Sequence, residues 1–209
     1  MIFKHINNMK ARLIFYSFLF ATVVFTLLSN CSGGKKPESD DAPAQAAEEK
    51  APEATAPQFV VNESFQQQLG KVFTSYVSLK DAFVASDTKK VKSEASTTSQ
   101  AVAGVDMKLL SGAAHNDWMS YLTPIQTSLK EIESAADIEV QRKAFSTLSE
   151  NLYKSIKAFG LGGTEAFYDF CPMAFNNEGA YWLSDNAAIR NPYFGDAMLT
   201  CGSIKETLK

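Results

Sequence analysis

Apolar positions between residues 60 and 159 recur every three or four residues, the period of one face of an α-helix. Phe65, Leu69, Val72, Tyr76, Leu79 and Phe83 form a first stripe, and Ser64 with Gln67 has the spacing of a capping box at its start. Asp87 is placed to cap a second helix over residues 88–102, whose apolar set of Val91, Ala95 and Val102 is thin, with Gly104 at its end. Trp118, Leu122, Ile125, Leu129, Ile132 and Ala136 mark a third helix, which Pro124 either kinks or begins afresh with Thr123 as cap. Ile138, Gln141, Phe145, Leu148, Leu152, Ile156 and Phe159 mark a fourth, capped by Asp137 and stopped by Gly160, Gly162 and Gly163. Brief links make consecutive helices antiparallel neighbours, so the pattern predicts an all-α fold, a four-helix up-down bundle over residues 59–163. Tyr76, Met107, Trp118, Met119 and Tyr121 lie in or beside the stripes and are expected in the core or at its edge.

The pattern is different at both ends. Residues 1–12 carry Lys4, Lys10 and Arg12 without an acid, and residues 13–28 follow without a charge, the layout of a secretory signal over residues 1–30. A bilayer-spanning helix needs about 20 apolar residues, so an uncleaved anchor is the lesser use of this stretch. Leu28-Ser29-Asn30-Cys31, where the apolar run stops, resembles the lipobox of bacterial lipoproteins. That resemblance implies cleavage before Cys31 and lipidation of its sulfur; Ser32 in place of an acid is similar to lipoproteins sorted to the outer membrane. The implied location is the cell envelope, with the body facing the periplasm. Residues 32–58 hold four of the seven prolines and no Leu, Ile, Val, Phe or Met, and so read as a disordered spacer behind the lipidated cysteine.

Charge narrows the function. The chain has 20 basic and 23 acidic side chains, and loss of residues 1–30 removes three bases and no acid, taking the net charge from −3 to −6. No basic surface for a phosphate backbone follows from that balance, and no nucleic-acid partner is expected. Only His5 and His115 are present, which leaves almost no material for a histidine-based triad or zinc site, and the chain is read as a non-enzyme. His115 is expected as a surface residue near the start of the third helix.

After Gly163 the helical period ends, and Phe167, Tyr168, Phe170, Phe175, Tyr181, Trp182, Tyr193 and Phe194 crowd into residues 164–209. Turn residues at Gly179, Asn191-Pro192 and Gly195 predict an irregular, looped or short-stranded lobe, and its aromatic surface should dock on the bundle. Within it stand Cys171-Pro172-Met173 and Met198-Leu199-Thr200-Cys201, two soft donors at each end of a thirty-residue interval. Thiolates and thioethers select Cu(I) and Ag(I) over hard cations, so convergence of Cys171, Met173, Met198 and Cys201 would make a soft-metal site. The competing reading is a Cys171–Cys201 disulfide closing the lobe, the usual fate of two remaining thiols in an export compartment. In that case Trp182, Tyr193 and Phe194, if exposed, would anchor a partner protein. A thiol oxidoreductase is disfavoured because no Cys-x-x-Cys spacing occurs.

Cys171-Pro172-Met173-Ala174, Gly179, Trp182-Leu183-Ser184, Asn191-Pro192-Tyr193-Phe194-Gly195, Met198-Leu199 and Cys201-Gly202 resemble the end of a bacterial domain of unknown function, DUF3347-like. That domain occurs alone in lipoproteins and joined to CusB-type heavy-metal efflux adaptors. Tyr168-x-x-Cys171-Pro172-Met173 is also similar to a short signature of heavy-metal-binding segments, with Ala174 where that signature has His. The resemblance implies a Cu(I)- or Ag(I)-binding lipoprotein that buffers the metal or delivers it to an efflux system, with an efflux adaptor as a possible partner.

Overall fold

The computed structural model describes residues 56–209; the signal segment, Cys31 and nearly all of the spacer lie outside the described residues. Four long helices, α1 (Glu63–Val84), α2 (Thr88–Ala103), α3 (Gly112–Ser134) and α4 (Ile138–Phe159), are followed by β1 (Ala166–Cys171), β2 (Ala180–Ser184) and β3 (Ser203–Leu208). Each long helix packs on the next in sequence. Among the described residues no helix is long and apolar enough to cross a membrane.

The helices form where the apolar period predicts them, and each stripe faces the core: Phe65, Leu69, Tyr76, Phe83, Trp118, Ile125, Phe145, Leu152 and Phe159 are all inaccessible to solvent. Asp87 and Asp137 are the caps expected of them, each accepting from two backbone N–H groups of the turn that follows. At α1 the capping box is not formed: Asn62 is the cap and accepts from the Ser64 N–H at 2.8 Å, while Gln67 donates to the Glu63 carboxylate. Two capable residues, Asn62 and Ser64, stand two positions apart there, and the chain uses the earlier one. Helix α3 runs without interruption through Pro124, so Thr123 caps nothing. Met107 and Met119 are corrected from core to surface, at 40% and 38% exposure. Met107 lies in a short 3-10 turn outside the long helices, and Met119 is one step around α3 from the buried Trp118.

The all-α expectation is also corrected. Residues 166–208 contain an antiparallel sheet of order β2-β1-β3. Strand β1 pairs on both sides, with Asp169 opposite Trp182 of β2 and Ile204 of β3. Both of its faces are covered, so its residues show none of the polar–apolar alternation by which a half-exposed strand announces itself. The sheet docks through β2 onto α4 and α1. Tyr76 carries much of that junction: its ring stacks on Phe145, and its hydroxyl meets Ser149 Oγ at 2.6 Å and accepts from the Leu183 N–H at 3.1 Å.

Candidate functional site

The loop between β2 and β3 is held by the Asn191-Pro192-Tyr193-Phe194-Gly195 segment. Asn191 is buried; its side-chain amide donates to the Cys201 carbonyl at 2.9 Å, its oxygen accepts from the Tyr193 N–H, and its own N–H reaches the Leu199 carbonyl. The Pro192 carbonyl accepts from Arg142 Nε at 3.0 Å. Arg142, itself buried, also bonds Ser86 Oγ and the Glu139 carboxylate, clamping this loop to α4 and to the α1–α2 turn. Tyr193 is buried, its hydroxyl donating to the Tyr181 carbonyl and its ring meeting Trp182 edge-on. Gly195 has φ +54° and lies so close to Ser86 and Val84 that a Cβ would stand 2.5 Å from Ser86 Oγ. These are the turn-builders the sequence marked, and their effect is to fix the backbone just before Cys201.

The result is a thiol pair. Cys171, at the end of β1, and Cys201, two residues before β3, are both free, with their sulfurs 2.8 Å apart. Cys171 is wholly buried and Cys201 half-buried. The sulfur of Cys171 and burial together push the Cys201 thiol up to about 11, and a hydrogen bond from the Met173 backbone to the Cys201 sulfur partly offsets this.

Met173 and Met198 are elsewhere. They line an open cavity of about 370 Å³ together with Glu139, Phe175, Tyr193 and Phe194, and neither cysteine is among its walls. Met173 is 44% exposed. The short turn between β1 and β2 that forms one wall is left-handed, with φ of 51°, 58° and 69° at Phe175, Asn176 and Asn177. Thus the two thiols meet, the two thioethers share a neighbouring cavity, and His115 lies far along the chain in the first turn of α3. Among the described residues no group of three or more His, Cys, Asp or Glu side chains could hold a metal ion. The contact-anchor role is corrected for Trp182 and Tyr193: both are buried within the lobe's own core, and only Phe194 remains half-buried.

One buried polar residue gave no signal in the sequence. Asp169 is fully buried on β1, and both carboxylate oxygens lack a hydrogen-bond partner. Burial raises its carboxyl to about 7, against the pull of the nearby Lys80 ammonium, itself buried and ion-paired to Asp81 at 2.9 Å. An Asp in the run Ala-Phe-Tyr-Asp-Phe-Cys passes for a loop residue unless the strand is already known.

No curated protein and no solved structure matches the chain. Residues 72–164, from within α1 to the glycine-rich turn before β1, match the model of a family described as a protein of unknown function, DUF3347, and by this match the helical part of the chain is similar to that family.

Proposed function

We propose that this is a non-enzymatic, lipid-anchored protein of the cell envelope that binds Cu(I) or Ag(I), buffering the ion or delivering it to a heavy-metal efflux system. The observation that carries the reading is the Cys171–Cys201 pair, two free thiols with sulfurs 2.8 Å apart, Cys171 at the end of β1 and Cys201 on the loop fixed by Asn191 and Arg142. Two thiols brought together are a soft-donor pair, and among the described residues no His, Asp or Glu joins them as a third ligand. Met173 and Met198 line a cavity of the same lobe, and neither cysteine is among its walls. On this reading the four helices form an up-down bundle that serves as scaffold, supported by their short links and sequential packing. Cys31 carries the lipid, and residues 32–58 hold the domain off the outer membrane, toward an efflux adaptor.

Titration of the reduced full chain with Cu(I) against a chromophoric Cu(I) chelator tests the reading. One ion per chain is expected to be won from the chelator, and that tight binding should be lost in Cys171→Ser and in Cys201→Ser; failure of the reduced chain to compete for the ion removes the reading. Anchoring is tested separately by detergent phase partition, where Cys31→Ala should move the protein into the aqueous phase.

A second reading has its own support. Cys171 and Cys201 are close enough to oxidise, and a bridge closing this loop would stabilise the lobe by roughly 3–4 kcal/mol. The chain would then be a disulfide-stapled interaction module without metal. Intact mass with and without reductant distinguishes the two: a pair that has lost two hydrogens in cells and takes no ion after reduction favours the staple. The readings join if the disulfide is the resting state and reduction makes the pair competent for metal.

A further inference from the structure

The donors differ in their access to solvent. Cys171 is wholly buried, whereas Met173 is 44% exposed and shares with Met198 the wall of a cavity open to solvent. An exposed Met beside a cavity fills no gap in the core, so packing gives no account of its position. The wall next to it is unusual too. Phe175, Asn176 and Asn177 all take positive φ, a run that residues with a side chain adopt only where surrounding contacts hold them. Here the holding contacts are the Gly179 N–H bonded to the Ala174 carbonyl at 2.9 Å and the Phe175 ring set edge-on to Tyr193. The strained turn follows directly on Met173 and keeps the cavity wall in place.

The two sulfur sets are also connected. Met173 follows Cys171 by two residues, and the Cys201 N–H is bonded to the Met198 carbonyl at 3.1 Å. Each thioether therefore sits on a residue two or three positions along the chain from one cysteine of the pair. Glu139, Asn176 and Asn177 line the same cavity; the Glu139 carboxylate is paired with Arg142 at 2.6 Å, and the two thioethers are the soft donors there. Neutral thioethers discriminate against Zn(II), Ca(II) and Mg(II) and in favour of Cu(I) and Ag(I).

We propose that Met173 and Met198 form a separate, solvent-facing thioether site for Cu(I) or Ag(I), the entry station from which the ion passes to the Cys171–Cys201 pair. The second half of this inference rests on the soft-metal function proposed above; the first half does not. The transfer is a ligand exchange: two thioether–metal bonds break, two thiolate–metal bonds form, two thiol protons leave to solvent, and no electron changes hands.

The test uses the full chain labelled with 13C at the methionine methyl groups and titrated with Ag(I), which avoids redox chemistry. In Cys171→Ser/Cys201→Ser, the Met173 and Met198 methyl resonances are expected to shift together and saturate at one ion per chain. Met107 and Met119, at 40% and 38% exposure, serve as controls and should not move. Replacing either Met173 or Met198 by Leu should weaken binding by no less than the roughly 10–100-fold typical of losing an outer-shell partner. In the reduced native chain the first equivalent should leave these methyls unshifted and the second should shift them, a measurement that holds even if the double variant does not fold. Equal shifts at Met107, Met119, Met173 and Met198, or no shift at any of these, would falsify the thioether site. Joint movement of Met173 and Met198 with the first equivalent in the native chain would replace it by one four-sulfur site. If the methionines bind and the thiols do not, the entry station stands and the proposed carrier function falls; the reverse outcome removes the entry station alone.

Discussion

Arg142 on α4 donates through Nε to the carbonyl oxygen of Pro192, 50 residues further along the chain, at 3.0 Å. With its other nitrogens on Ser86 and Glu139, this one guanidinium ties the C-terminal loop to two places in the helical body. Truncation to Met keeps most of the apolar stem but leaves the buried Pro192 carbonyl without its donor, a loss of about 1–3 kcal/mol, with a further contribution from Ser86. Arg142→Met should therefore lower the urea midpoint and weaken the near-ultraviolet signal of the Trp182 and Tyr193 environment. Arg142→Lys should recover only a minor part, because an ammonium cannot serve three directions with a planar fork. Full recovery in the Lys variant would show that charge alone, and not the fork, holds the loop.

Tyr76 joins the helices to the sheet by a different means. Its hydroxyl is the acceptor for the buried Leu183 N–H on β2 and is paired with Ser149 on α4. Tyr76→Phe keeps the ring stack on Phe145 but orphans that N–H, at a cost of about 1–3 kcal/mol. Hydrogen exchange should quicken at the Leu183 amide more than at amides within β1. Unchanged protection at Leu183 would mean that another acceptor takes over.

Gly195 tests how tightly the loop sits. A methyl there meets Ser86 Oγ at 2.5 Å and the Val84 carbonyl at 3.1 Å, and the +54° φ disfavours any side chain. Gly195→Ala should cost at least the roughly 1–2 kcal/mol of placing an L-residue in the left-handed region. Part of the loss comes from the clash with the Ser86 side chain, so adding Ser86→Gly should return some of it, and the two changes should couple by more than about 0.5 kcal/mol in denaturation experiments. Strict additivity of the two effects would argue that the backbone conformation, not the contact, makes the glycine necessary.

The helical body was legible because its residues obey a single period against a polar outer face. Stripes such as Phe65–Leu69–Val72–Tyr76 and the Asp87 and Asp137 caps needed no tertiary information. Strand β1 was not legible, because burial on both faces erases alternation and leaves a short apolar run. Turn chemistry at Asn191, Pro192 and Gly195 was visible, but its purpose depends on Arg142, which in sequence is only one more residue of a helix. The sulfur spacing did not distinguish thiols from thioethers: the turn after Met173 is left-handed, and spacing along a chain does not encode the direction of a turn. The family match, too, covers the helices and ends before β1, whereas the resemblance drawn from the residues leaned on the lobe.

Asp169 gives the lobe a pH dependence. Its carboxyl is raised to about 7 in the folded chain from an ordinary 3.8, chiefly by burial, with Lys80 pulling the other way. Between these two values the folded state holds a proton that the unfolded state has released, so stability contributed by this group is fully present below about pH 4 and is lost as pH rises through about 7. Three units of displacement correspond to at most about 4 kcal/mol, the upper end of what neutralising one buried carboxylate can contribute. Other carboxylates in the chain impose slopes of their own, so the informative quantity is the difference between the native chain and Asp169→Asn. That difference should be small near pH 4 and should grow in favour of the Asn variant up to about pH 7, then level off, when urea midpoints are measured across the range. Parallel curves for the two proteins would mean that the Lys80 ammonium satisfies the Asp169 carboxylate well enough to keep it charged in the folded state throughout.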